Sequence, residues 1–295
     1  MNLMNRQKQG EEARVAIVAG AIRGIGLEIA KNLSACGVRC CLTYYDWLES
    51  LPAMEKAMEQ YQVDFLAVNA DLTQRGGAEK VVDAAAERFG RIDFLINNIE
   101  RGGWPVVHGR YTPEQWALEF NTTVTAKWNL FQKALPYLKR HAGSSVVNIS
   151  SISGVVGRSG PAGLVFNDCY SLANRAVSSL TEQWAREGAP EVRVNELQLG
   201  FFETRHGPGT RGWGLLNGQQ RQAIVDHTLL CRTGRVEEVA TAVRFLTLEA
   251  QFLTGAVIRL DGGYCLGGEH VVEMPEGVVE PGEPTFGRVT DLDRA

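Results

Sequence analysis

With 295 residues, 44% of them hydrophobic and 22% charged, the chain can bury one sizeable core and has the composition of a globular protein, not of a disordered or fibrous one. A formal net charge of −4 with no basic run excludes a nucleic-acid stripe, and no apolar stretch reaches the roughly 18 residues that a membrane helix needs. The six cysteines form no CxxC pair and have no histidine at metal-ligand spacing, and Met1 to Glu12 carries no signal core, so a metal-free, soluble, cytoplasmic protein is expected.

The first apolar, β-branched run, Arg14 to Ala19, stops at Gly20, and helical spacing starts at Gly24 and continues to Leu33. Between them lies Gly20-Ala21-Ile22-Arg23-Gly24-Ile25-Gly26, a strand-turn-helix passage whose glycines let backbone approach a pyrophosphate while the helix start offers free N–H groups. A second strand, Val38 to Tyr44, ends where a dinucleotide's adenosine ribose is read. Tyr44 occupies the place of the usual carboxylate and Asp46 comes two residues later, while Arg23 is placed to meet a 2′-phosphate; this favours NADP over NAD.

The rhythm continues with helical spacing over Leu48 to Gln60, a strand over Val63 to Asn69, a helix over Gln74 to Phe89 and a strand over Ile92 to Asn97. Alternating apolar strands and helices, with no linker or repeat between them, predict an α/β fold: one doubly wound, Rossmann-like parallel sheet with helices on both faces. Residues 1–13 read as an extension, 14–264 as the domain and 265–295 as a tail. Thr112-Pro113-Glu114 opens a helix that contains Asn121 and runs, with a break, to about Arg140. The strand ending at Ser150-Ser151 and the helix from Tyr170 to Glu187 place a hydroxyl and a phenol where they can converge on one acid/base centre. Cys169, beside that phenol, is the one thiol to weigh as reactive. Val192 to Leu197 and Ala256 to Leu260 are further strands, Val236 to Leu248 is helical, and the glycine-rich stretch from about 205 to 218, with His206 and Trp213, reads as a loop over the substrate.

In this order the residues resemble the single-domain short-chain dehydrogenase/reductase family over roughly Arg14 to Gly263. The likeness rests on the glycine passage, Asp71-Leu72, Asn97-Asn98, Asn121, Asn148-Ile149-Ser150-Ser151, Tyr170, Val194-Asn195, Leu199-Gly200 with Thr204, and Asp261-Gly262-Gly263. The resemblance implies that Asp71 and Leu72 lie against the adenine, that Asn98 and Ile99 pass beneath the cofactor, and that Gly200, Phe202 and Thr204 orient the nicotinamide. It makes Ser151, ahead of Ser150, the holder of the substrate oxygen and Tyr170 the proton donor, with Asn121 steadying a relay water. It also implies a homodimer or homotetramer through the helices near 113–140 and 170–187.

Three departures shape the expected chemistry. Asn174 stands where the family has a lysine, so the site's helix brings an amide that can bond a ribose hydroxyl but no charge to lower the phenol. Ile99-Glu100 replaces Ala-Gly. Ser151 and Tyr170 are 19 residues apart, longer than the family spacing, so the connecting segment must loop out. The resulting expectation is an NAD(P)-dependent oxidoreductase that reduces a carbonyl or oxidises an alcohol on a small organic substrate. The alternative is an impaired cofactor-binding or regulatory subunit that pairs with an active relative in a hetero-oligomer.

Overall fold

The computed structural model describes residues 13–100, 111–202, 204 and 216–268. The amino-terminal extension up to Glu12, the segment Arg101 to Trp104, His206, Trp213 and the tail from 269 onward lie outside the described residues, as does most of the expected substrate loop.

Seven strands form one parallel sheet in the order β3-β2-β1-β4-β5-β6-β7. They are β1 (Val15–Val18), β2 (Arg39–Tyr44), β3 (Phe65–Asn69), β4 (Phe94–Asn97), β5 (Ser144–Ser151), β6 (Val192–Leu199) and β7 (Val257–Leu260). β1, β4, β5 and β6 are buried along their whole length, which is why their apolar runs read as continuous instead of alternating. One core packs α3 (Arg75–Phe89), α5 (Ala126–Leu138) and α7 (Asp168–Gly188) on one sheet face. A second packs α1 (Gly24–Ala35), α2 (Leu51–Met58) and α9 (Val236–Arg244) on the other. Strand order reverses between β1 and β4, so the crevice beyond their carboxyl ends is the binding position that this topology creates.

Two helix starts position the site. Thr112 caps α4 (Pro113–Phe120) in a reciprocal box with Gln115, at the place where Thr112-Pro113-Glu114 was expected to open a helix. Asn167 caps α7, its Oδ1 accepting the backbone N–H of Tyr170 at 3.0 Å, so the phenol sits in the first turn of a fixed helix. The expected break between α4 and α5 is a π-turn, Asn121–Thr125. The long passage between Ser151 and Tyr170 is taken up by a short helix α6 (Ser153–Val156) and a 3₁₀ turn, Gly160–Leu164. Gly218, expected to end a loop, instead begins helix α8 (Gly218–His227), because Asn217 and Gln220 form a second capping box there.

Candidate active site

A cavity of about 740 Å³ opens along the carboxyl ends of the strands. Its phosphate end is the β1–α1 turn. Gly20 has φ of +65°, and its N–H donates to Thr43 Oγ1 at 3.1 Å while its carbonyl accepts Asn98 Nδ2 at 3.2 Å. A Cβ on Gly26 would lie 2.2 Å from the Gly20 carbonyl oxygen, so this passage closes only around glycine. Gly20, Arg23, Gly24 and Ile25 line the cavity beside the start of α1, and a pyrophosphate fits this cradle.

The adenosine end is bounded by Tyr44, Asp71 and Leu72. Asn129 holds that second segment from α5, donating to the Leu72 carbonyl at 3.1 Å. The Arg23 guanidinium carbon lies 3.4 Å from the Trp47 ring centroid, with Asp46 on the same wall. Trp47 gave no signal in the sequence beyond its position after β2. At the other end Asn98, Ile99, Gly200, Phe202 and Thr204 all line the cavity, and Phe166 stacks on Phe201 with centroids 5.3 Å apart.

Ser151 and Tyr170 meet on the cavity wall between these ends. Ser150, its neighbour, donates its hydroxyl to buried Glu196, which leaves Ser151 as the hydroxyl bonded to the phenol. The Tyr170 hydroxyl also donates to Glu100 Oε2 at 3.3 Å. Burial, then the Glu100 charge, push the phenol well above its usual value, and the Ser151 bond opposes them. Cys169 is buried with its thiol donating to the Trp116 carbonyl at 3.4 Å, and burial raises it to about 12, so it is an inert core thiol.

Three expected residues do not line the cavity: Gly26, which packs against the Gly20 carbonyl, Asn121 and Asn174. Asn121 starts the π-turn, which rotates it outward: it is exposed and accepts Thr125 Oγ1 at 3.2 Å, while Thr122 and Leu118 face the cavity instead. Asn174 is fully buried, and its Nδ2 donates back to the Tyr170 carbonyl at 3.0 Å, since its short amide is within reach of the preceding turn. That geometry is not the ribose contact expected of it.

Behind this wall lies a buried polar cluster. Lys127, on α5, is fully buried and donates to the Ile99 carbonyl at 2.5 Å. Glu119 accepts Thr123 Oγ1 at 2.9 Å, and Glu196 accepts Ser178 Oγ and Gln198 Nε2, both at 3.2 Å. Burial lowers Lys127 to about 8 against the opposing pull of Glu100, Glu119 and Glu196, and burial raises Glu196.

The family model described as Enoyl-(Acyl carrier protein) reductase matches residues 20–265. A protein of Streptomyces violaceoruber assigned as ketoacyl reductase 2 of the granaticin polyketide synthase is 36% identical over 85% of this chain and 96% of its own. The chain belongs to the short-chain dehydrogenase/reductase family. A 3-oxoacyl-(acyl-carrier-protein) reductase of Thermotoga maritima is 31% identical over 85% of this chain and 98% of its own. Among solved structures, a blue fluorescent protein from a metagenomic library in complex with NADPH superposes with a TM-score of 0.74 at 25% identity, covering 86% of this chain and 98% of that one. This short-chain dehydrogenase/reductase is therefore an oxidoreductase by family, and it carries Glu100 against the phenol and Lys127 on the Ile99 carbonyl behind it. Lys127 was invisible in the sequence because a lysine at helical spacing ordinarily marks a solvated face. Among the described residues no helix is long and apolar enough to cross a membrane, and no group of His, Cys, Asp or Glu could hold a metal.

Proposed function

We propose that the protein is an NADP-dependent reductase of a small or medium organic ketone. The observation that carries this reading is the meeting of the Ser151 and Tyr170 hydroxyls in the same cavity as the Gly20–Gly26 cradle. A dihydronicotinamide dinucleotide bound there supplies hydride to the substrate carbon. Ser151 holds the substrate oxygen, and Tyr170, kept protonated by burial and by Glu100, donates the proton that the oxygen takes up. The Arg23 fork resting on Trp47 suits a 2′-phosphate, which is the basis for NADP over NAD. Phe166, Phe201 and Tyr170 give the substrate end an aromatic wall that favours planar or apolar groups beside the carbonyl.

The names of the relatives make β-ketoacyl thioesters the first substrates to try, with aryl ketones beside them. In such a panel NADPH consumption falls by about 100-fold or more in Tyr170→Phe. Unchanged turnover in that variant overturns the assignment. A homo-oligomer is part of the same reading, because Trp116 on α4, Trp128 on α5 and Leu172 on α7 are exposed at 41%, 46% and 51%. The Ser151 and Tyr170 hydroxyls sharing one cavity with the cradle support this reading over a non-catalytic subunit.

A further inference from the structure

A fully buried ammonium is costly unless negative charge or dipoles surround it. Lys127 spends one donor on the Ile99 carbonyl and has no access to solvent, so its position must serve something inside. Three carboxylates act on it from three other elements: Glu100 just after β4, Glu119 on α4 and Glu196 on β6. Glu119 is engaged by Thr123 and Tyr111, and Glu196 by Ser150, Ser178 and Gln198. Glu100 alone of the three lines the cavity, and its carboxylate accepts the Tyr170 hydroxyl.

We propose that the cation serving the Tyr170 centre is Lys127, acting through the Ile99–Glu100 turn in place of a lysine at position 174, and that Glu100 is the group that returns a proton to Tyr170. The proposal rests on the carbonyl-reductase reading above. In the balanced step, hydride adds to the carbonyl carbon, the C=O π pair moves to oxygen, and that oxygen takes the Tyr170 proton, leaving an alcohol, an oxidised nicotinamide and a phenolate. Glu100, partly open to the cavity, takes a proton from solvent and passes it to the phenolate, which restores both groups. Lys127 is a positioning residue in this scheme. It fixes the Ile99 carbonyl and offsets the Glu100 charge, which otherwise opposes the phenolate.

Two measurements on the full chain test this. Tyr170 ionisation is followed by phenolate absorbance, as the difference between each protein and its Tyr170→Phe counterpart. Glu100→Gln lowers the phenol pKa by about one unit, whereas Lys127→Met acts where the ammonium is charged, so its turnover deficit is largest near pH 7 and shrinks as pH rises past about 8. In NADPH-dependent turnover each single variant loses about tenfold, and the double variant falls no further than the worse single one, as for residues that act as a unit. A Tyr170 titration unmoved by Glu100→Gln, or losses that multiply in the double variant, overturns the proposal. If the wild type reduces no carbonyl, the reductase reading fails, while the phenol titration still decides the coupling between Glu100 and Tyr170.

Discussion

Tyr170 is held by opposing forces: burial and the Glu100 carboxylate keep its proton on, and the Ser151 hydroxyl favours its loss. A phenol raised in this way stays protonated across the neutral range, which suits donation to a ketone oxygen and works against accepting a proton from an alcohol. Alcohol oxidation is therefore expected to need alkaline pH. Introducing a cation by Asn174→Lys should move the alkaline rise of the oxidation rate down by about one pH unit or more. Oxidation profiles of the two proteins measure this, and superimposable profiles would mean that the new ammonium does not reach the phenol. At the opposite end of the cavity, Arg23→Ala should raise the KM for NADPH by about tenfold or more and change that for NADH little, since only one of them carries the phosphate. Equal effects on both would remove the case for NADP. Ser151 and Tyr170 were legible in the sequence because each ends or begins a well-patterned element. Asn174 was legible as a departure, but the direction of its amide depends on a rotamer that no spacing reveals.

Elements carry these residues to the site, and the reliability of the sequence pattern differed among them. The β1–α1 turn was fully legible, because a close backbone approach leaves glycine as the only residue that fits. Gly26→Ala should abolish NADPH binding, as read by quenching of protein fluorescence, because the new methyl would lie 2.2 Å from the Gly20 carbonyl oxygen. The start of α7 was placed two residues late, at Tyr170 instead of Asp168, since the capping Asn167 looks like any loop residue until its Oδ1 is seen on the Tyr170 N–H. Removing that cap by Asn167→Ala should cost about 1 kcal/mol of stability in chemical denaturation. The break between α4 and α5 was expected without its consequence. A π-turn inserts one residue into the helix, so every side chain from Asn121 onward faces a new direction. Asn121 turns outward, and Lys127, two residues past the turn, points under the sheet instead of to water. Periodicity counted through such an insertion gives the wrong face for both.

In the whole molecule, the buried polar cluster ties the stability of the fold to pH. Lys127 is held at about 8 in the folded chain against an ordinary value of 10.5, so below pH 8 both folded and unfolded chains carry its proton and the cost of burying the charge is paid in full. Between 8 and 10.5 the folded chain has released that proton and the unfolded chain has not, so stability gained from this group rises with pH and levels off above 10.5. The span corresponds to about 3 kcal/mol. Buried Cys40 and Cys41 act in the opposite direction above their ordinary value of 9.0, because burial holds both near 12 and only the unfolded chain ionises them. Their effect is the same in wild type and in Lys127→Met, so the difference between the two proteins isolates the lysine. Urea unfolding from pH 7 to 10 should show wild type gaining on Lys127→Met by about 2 kcal/mol or more, most of it above pH 8. A constant difference across that range would mean that the ammonium stays charged in the folded protein, with Glu100, Glu119 and Glu196 compensating it far more strongly than its burial disfavours it.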